Sequence, residues 1–367
     1  MRHYRLMIPG PLEAEPELLA PLSQPLRAHY GPEWVSEYRE VLKLLKALFR
    51  SERAEIYPIV GPGSAALDAA IGSVSGDGSP ILVLSNGFFG ERLRQIAASY
   101  TREVSLITAE PGRPLEPERL EEELAHRPEL KTVAVVQGET STGVLNPLEE
   151  IGKICRDHQA LLLVDTVASL GGVPLEFDAW GIGLCVSSTQ KCLGLAPGLA
   201  PLAVSPEAWQ RIESGQSPGW YLNLRTWKRF ATEWGDSHPH PVTMPTGLMR
   251  ALQLSLTGIF AEGLESCWER HRRMSALIRR GLRDLGFELL AADECALPTV
   301  TAVRVDRRIS ASELLSRLKR EHNLLIGGGL GELAGKIVRI GHMGPTASPE
   351  QILPTLYALE QVLRTAE

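Results

Sequence analysis

The sequence predicts an α/β protein, with a mostly parallel sheet flanked by helices and a smaller C-terminal α+β domain. Short apolar runs without polar alternation, such as Val133-Ala134-Val135-Val136 and Leu161-Leu162-Leu163-Val164, read as strands buried on both faces. Amphipathic stretches at helical spacing separate them, as expected where helices cover a parallel sheet. At 367 residues the chain is also too long for one ordinary core, which predicts two domains.

Taken in order, residues 1–20 are Pro-rich and aperiodic and predict an arm rather than a folded element. A helix is expected over 34–49, where Val41, Leu44, Leu45 and Leu48 recur at helical spacing. Residues 64–71 open a helix and 81–85 form a strand. A helix at 90–98, a strand at 104–107, a helix at 118–125 and a strand at 133–136 continue the alternation. A helix at 148–158 and a strand at 161–165 follow, with short strands at 185–188 and 202–205. After about residue 243 the texture changes to one long charged helical stretch, 249–285. Strands at 300–305 and 337–341 and helices at 311–319 and 350–363 complete it. The expected division is an arm at 1–20, a large domain at 21–258 and a small domain at 259–367.

Composition narrows the function classes. Hydrophobic residues make up 44% and charged residues 22%, the balance of an ordinary globular protein. A formal charge of -6 argues against nucleic acid as a main partner, since phosphate binding needs a basic face. No apolar run reaches the ~18 residues of a membrane span. The opening segment, which runs into Pro9-Gly10-Pro11, lacks the pattern of a secretory leader. The five cysteines are scattered and form no C-x-x-C pair, which predicts free thiols in a reducing cytoplasm. The nine histidines include no H-E-x-x-H, and His238 and His240 lack an obvious third ligand, so no metal site is expected. Neither a G-x-x-x-x-G-K-[ST] loop nor a G-x-G-x-x-G fingerprint is present.

Ligands of open parallel sheets bind at the carboxyl ends of strands. Asp165 closes the most apolar strand, and Lys191 follows the apolar run 185–188. A poorly hydrated lysine loses its proton more easily and becomes a nucleophile. A carboxylate and a lysine at neighbouring strand ends suit pyridoxal 5'-phosphate (PLP). The lysine forms the Schiff base and the acid keeps the pyridine nitrogen protonated. Each residue also has a plain reading, Asp165 as a turn residue and Lys191 as a solvated side chain. Gly63 and Ser64 open a helix and suit either a phosphate or an ordinary cap. Phe88 and Phe89 at a strand-to-helix turn could stack on a planar cofactor or pack in the core. Thr140 lies in a hydroxyl-rich turn. Arg339, between apolar residues of a strand, needs an anion: a substrate carboxylate or a structural salt bridge.

The order of these pieces along the chain resembles the class V PLP-dependent aminotransferases, in the alanine/serine–glyoxylate (serine–pyruvate) group. The matching segments are Pro9-Gly10-Pro11, Gly138-Glu139-Thr140-Ser141-Thr142-Gly143, Leu163-Val164-Asp165-Thr166-Val167-Ala168-Ser169, Ser188-Thr189-Gln190-Lys191-Cys192-Leu193 and Arg339-Ile340-Gly341. The resemblance implies a PLP-dependent transferase of fold type I, a homodimer with active sites at its interface. It implies Lys191 as Schiff-base lysine and proton shuttle, and Asp165 on the pyridine nitrogen. Val167 would lie against the ring, Thr140 would reach the ring hydroxyl and Phe89 would stack. Gly63, Ser64, Ala65 and Gln190 would hold the phosphate, and Arg339 the substrate carboxylate.

The chain departs from the family pattern at three places. Phe89 stands where tryptophan is common, and Pro62-Gly63-Ser64 stands where Ser-Gly-His or Ser-Gly-Thr is usual. The segment of the second subunit that offers Tyr and Thr to the phosphate reads His238-Pro239-His240-Pro241-Val242-Thr243, which leaves His238, His240 or Thr243 as candidates. The expected reaction carries an amino group from alanine or serine to glyoxylate or pyruvate by a ping-pong cycle. The segment from Arg339 to Thr346 also resembles the pyridoxamine–pyruvate branch, which tends to carry a further arginine where this chain has Leu330. Ureidoglycine or 2-aminoethylphosphonate donors, a cysteine desulfurase-like lyase using Cys295, and a non-catalytic binding protein are the alternatives.

Overall fold

A computed structural model describes residues 3–305 and 308–365. The first two residues of the expected arm and the last two of the expected small domain lie outside the described residues. The chain begins with β1 (Arg5–Met7), α1 (Pro16–Leu19), α2 (Pro32–Leu48), β2 (Glu55–Val60), α3 (Gly63–Ser75), β3 (Ile81–Ser85) and α4 (Phe88–Ala97). It continues through β4 (Val104–Thr108), α5 (Pro117–His126), β5 (Thr132–Val136), β6 (Gly138–Glu139), β7 (Val144–Leu145), α6 (Leu148–Asp157) and β8 (Leu161–Asp165). β9 (Ile182–Val186), β10 (Leu199–Val204), α7 (Pro206–Ser214), α8 (Leu224–Glu233), α9 (Thr246–Glu262) and α10 (Leu264–Asp284) follow. β11 (Val300–Arg304), α11 (Ala311–His322), β12 (Leu324–Gly328), β13 (Ile337–Gly341) and α12 (Pro349–Arg364) complete the order.

The main sheet has seven strands in the order β2-β10-β9-β8-β5-β3-β4. The strands from β9 to β4 pair in parallel, and β10 runs antiparallel between β9 and β2. Their continuous apolar runs are explained by burial on both faces. Leu82, Leu84, Val133, Val135, Leu162 and Val164 enter one core. Their neighbours Ile81, Val83, Ala134, Val136 and Leu163 enter the other. Successive side chains of a strand point to opposite faces, so covering both faces demands apolar residues at every position.

A second sheet of four strands, β1-β12-β13-β11, is mixed, with β1 parallel to β12 and the other pairs antiparallel. Its core gathers Met7, Ile326, Val338, Ile340 and Leu359. This corrects the expectation of an arm without folded structure, because β1 is an edge strand of the C-terminal sheet and Met7 is fully buried. The expected single helix 249–285 is broken at Gly263, whose φ of 89° suits glycine and ends α9. The expected boundary after residue 258 therefore falls inside α9. Among the described residues, no helix is long and apolar enough to cross a membrane.

Candidate active site

The chain turns back across the main sheet after β4, so β5 lies on the opposite side of β3 from β4. A crevice at the carboxyl ends of the strands follows from that reversal. β8 ends at Asp165, and a short segment after β9 carries Gln190 and Lys191. β5 leads into the β6–β7 hairpin with Thr140, and β3 leads into α4 with Phe89. Together with Gly63, Ser64, Val167 and Arg92, these residues line a cleft of about 210 Å³. The strand ends are braced from behind. The buried Asn146 side chain bonds the Asn86 side chain, the carbonyl of Val136 (2.8 Å) and the amide of Leu115 (3.0 Å).

Burial sets the electrostatics. Asp165 is 5% exposed, and desolvation lifts its carboxyl to about 6 despite the Val167 amide that donates to Oδ1 at 2.8 Å. The nearby Glu139 carboxylate pushes the same way, while Lys191 and Arg92 oppose it. Desolvation brings the Lys191 ammonium down to about 8, and the neighbouring charges of Arg339 and Arg92 add to that lowering. The lowering raises the neutral, nucleophilic fraction of the amine far above that of an exposed lysine.

The second sheet supplies the wall. Arg339, on β13, is 7% exposed. Its Nε donates to the Gly328 carbonyl at 2.7 Å and its Nη1 to the Thr140 carbonyl at 3.2 Å. Among the described residues it has no carboxylate in salt-bridge range, so a structural ion pair is not what holds it there. Desolvation lowers its guanidinium to about 10. The segment after β1 closes over the floor, with the Lys191 ammonium donating to the Pro9 carbonyl. Gly10 lies against the Lys191 side chain with φ of 97°, and a Cβ there would collide with it.

The donor set fits a phosphate-bearing planar cofactor. The cap position of α3 is taken by Pro62, which offers no side-chain hydrogen bond, and Ser64 sits inside the first turn. The Ala65 amide bonds the Pro62 carbonyl at 2.8 Å, and no side chain caps the Gly63 and Ser64 amides at the edge of the cleft, which suits an anion. A Cβ added at Gly63 would lie 2.7 Å from Val167, so only glycine leaves the backbone this close. Ser188 Oγ and Gln190 Oε1 are buried without a hydrogen-bond partner, which is costly unless a ligand completes them.

Gly63, Ser64, Phe89, Thr140, Asp165, Val167, Gln190 and Lys191 thus meet in one cleft, with Ala65 next in the same turn and Arg339 beside Thr140. His240 and Thr243 do not join them within one chain. His240 is fully buried, accepting from Trp34 Nε1 at 2.8 Å and bonding the Val242 carbonyl through Nδ1 at 2.8 Å. It has no ring nitrogen left for a phosphate. Thr243 is exposed, in a separate recess beside Pro21, Leu22 and Leu26. Cys295 sits in a 3-10 turn outside the cleft.

Sequence reasoning missed Arg92, Glu139, Ser188 and His29. The i, i+3 spacing of Phe89 and Arg92 on one helix was the available signal for Arg92. His29 supplies the third member of a cluster with His238 and His240, whose ligand atoms lie within 4.8 Å of one another. Nothing local in the sequence announces it.

A family model described as "Aminotransferase class-V" matches residues 26–338. An uncharacterized aminotransferase of Methanocaldococcus jannaschii is 37% identical over 360 residues, covering 98% of this chain and 92% of the relative. An (S)-ureidoglycine–glyoxylate transaminase of Bacillus subtilis is 32% identical over 378 residues, with 98% and 90% covered. The crystal structure of an alanine–glyoxylate aminotransferase from Nostoc sp. superposes with a TM-score of 0.94 at 36% identity, covering 99% of this chain and 96% of that one.

Proposed function

The chain belongs to the class V aminotransferases, and from that premise we propose that it moves an amino group from alanine or serine to glyoxylate or pyruvate in a ping-pong cycle. Its fold is that of the fold type I PLP-dependent aminotransferases. One observation carries the reading. A lysine and a carboxylate with opposed shifts in proton affinity meet in one cleft, and the buried arginine beside Thr140 has no acidic partner among the described residues.

In this reading Lys191 would hold PLP, and Asp165 would keep its pyridine nitrogen protonated. Phe89 and Val167 would pack against the ring, and Thr140 would bond its hydroxyl. Gly63, Ser64, Ala65 and Gln190 would hold the phosphate. Bound PLP supplies an electron sink for the charge that develops at the substrate α-carbon. Lys191 Nζ takes the α-proton and returns it, as general base and then acid. Arg339 grips the substrate carboxylate and so orients the C–H bond toward Lys191. Glyoxylate is named as a substrate of both the Nostoc structure and the Bacillus relative, which supports it as the acceptor here.

The division into two domains belongs to the same reading, with a PLP-holding domain up to the break at Gly263, a small domain after it, and β1 completing the small sheet. A homodimer is supported by the recess of about 980 Å³ around Thr243, rimmed by Leu22 and by Leu26, which is 95% exposed. Thr243 is the residue that the chain would offer across such an interface.

The test is a half-reaction screen on the PLP-loaded protein. Alanine or serine should bleach the cofactor's visible absorbance, and glyoxylate or pyruvate should restore it. Bleaching only by ureidoglycine, 2-aminoethylphosphonate or pyridoxamine would reassign the donor. Sulfide release from cysteine would replace the reading with a lyase.

A further inference from the structure

Helix α4 starts without a cap of its own. Its cap residue is Gly87, which has no side chain to receive the first amides. They are met from the β6–β7 hairpin, fifty residues along the chain by the bond to Phe89. Ser141 Oγ accepts from the Phe88 amide at 2.9 Å. Glu139 Oε2 accepts from the Phe89 amide at 3.0 Å and the Gly90 amide at 3.1 Å. Its Oε1 accepts from the Ser141 amide at 2.9 Å and the Ser141 hydroxyl at 2.6 Å. A Cβ on Gly87 would lie 2.4 Å from Ser141 Oγ and 2.5 Å from Glu139 Cγ, so glycine is what admits the pair.

Glu139 is fully buried and forms no salt bridge among the described residues. Four donors and the positive end of a helix compensate its charge instead. It does not line the cleft, whereas two side chains from the first turns of α4 do: Phe89 and Arg92. The Arg92 guanidinium lies 5.0 Å from the centre of the Phe89 ring and 5.2 Å from that of Phe88, so it packs on the same turn that Glu139 caps. The residue after Glu139 is Thr140, whose carbonyl receives Arg339.

We propose that Glu139 is a positioning residue for the aminotransferase reaction. Its carboxylate locks the first turn of α4 to the hairpin and so fixes the Phe89 ring and Arg92 relative to Thr140. This rests on the reading of the cleft as a PLP site. A neutral amide of the same shape offers one acceptor oxygen in place of two, so Glu139→Gln loses the charge and cannot keep all four bonds.

The experiment is a double-mutant cycle in the full chain, with Glu139→Gln, Phe89→Ala and both together. PLP is titrated into the cofactor-free enzyme, followed by visible absorbance and by the circular dichroism induced in the cofactor. Glu139→Gln should weaken PLP binding by about tenfold, the scale of one buried charged hydrogen bond, and shrink the induced signal. In the Phe89→Ala background the same change should cost less than about twofold, because the ring it positions is gone. Unchanged affinity and induced signal in Glu139→Gln would overturn the proposal, as would an equal loss in both backgrounds. If Glu139→Gln does not fold, Ser141→Ala decides the matter. It removes the Phe88 bond and should lower the induced signal in the same direction; an unchanged signal would overturn the proposal. A wild-type protein that takes up no PLP would instead sink the cofactor reading.

Discussion

The cleft around Lys191 and the histidine cluster around His240 both gather titratable groups about a buried member, yet they treat their polar atoms in opposite ways. In the cluster, His240 has both ring nitrogens engaged, and His238 Nε2 lies 3.2 Å from His29 Nδ1. Neutral rings suffice there, and desolvation holds His240 down at about 4. In the cleft and beside it, Gln190 and Ser188 leave buried atoms unpaired among the described residues, and Arg339 bonds only carbonyls there. A satisfied cluster stabilises a fold, whereas an unsatisfied one waits for a ligand. Three histidines look more like a functional site on paper than a serine and a glutamine do, but the hydrogen-bond inventory ranks them the other way.

The contrast breaks most sharply at Lys191. Lys191→Ala should lower single-turnover transamination by about 10³-fold or more, since it removes both the covalent anchor and the proton shuttle. Retained turnover would place the chemistry elsewhere. Arg339→Gln comes next. Losing one side of a buried charge pair costs about 2–5 kcal/mol, so KM for carboxylate donors should rise by about 10²-fold, with a smaller change in kcat. A fall in kcat with KM unchanged would mean that Arg339 does not grip the carboxylate of the bound substrate.

The histidine cluster should respond through stability. His240 binds its proton less well folded than unfolded, so its contribution is complete above pH 6.5 and is lost as the pH falls toward 4. From an ordinary 6.5 to about 4 the loss is about 3 kcal/mol at most. His271 and His342, also lowered by burial, act in the same direction. Denaturant titrations at pH 7 and pH 5 should therefore show a smaller acid loss for His240→Gln than for wild type, and equal losses would remove His240 from the account. The smallest effect is expected at Phe89→Trp, where a larger ring should tighten PLP by less than about 1 kcal/mol.

The two regions also differ in how much of them can be read from sequence. Asp165 is legible because it ends a run that only a buried strand explains, and Lys191 because it follows such a run closely. The main sheet is legible for the same reason, but β2 is not, because Pro58 argues against a strand. An edge position tolerates it. β12 was overlooked because its apolar start runs into Gly327-Gly328-Gly329, which reads as a turn. Gly263 was too isolated in a long periodic stretch to mark the break between α9 and α10. Arg92, Glu139 and His29 acquire their roles from contacts made across the fold, and a pattern of nearby residues carries no trace of those.

The pairing of β1 with β12 sets Arg5 against Leu324. A strand that leaves the ribosome early must therefore wait for nearly the whole chain before its partner exists. Pairing this distant closes late and slowly. The wall that carries Arg339 is consequently among the last parts to be assembled, and the Pro9 carbonyl reaches Lys191 only when it is. Without that pairing the cleft lacks its cover, and the Lys191 amine is open to carbonyl compounds in the surroundings.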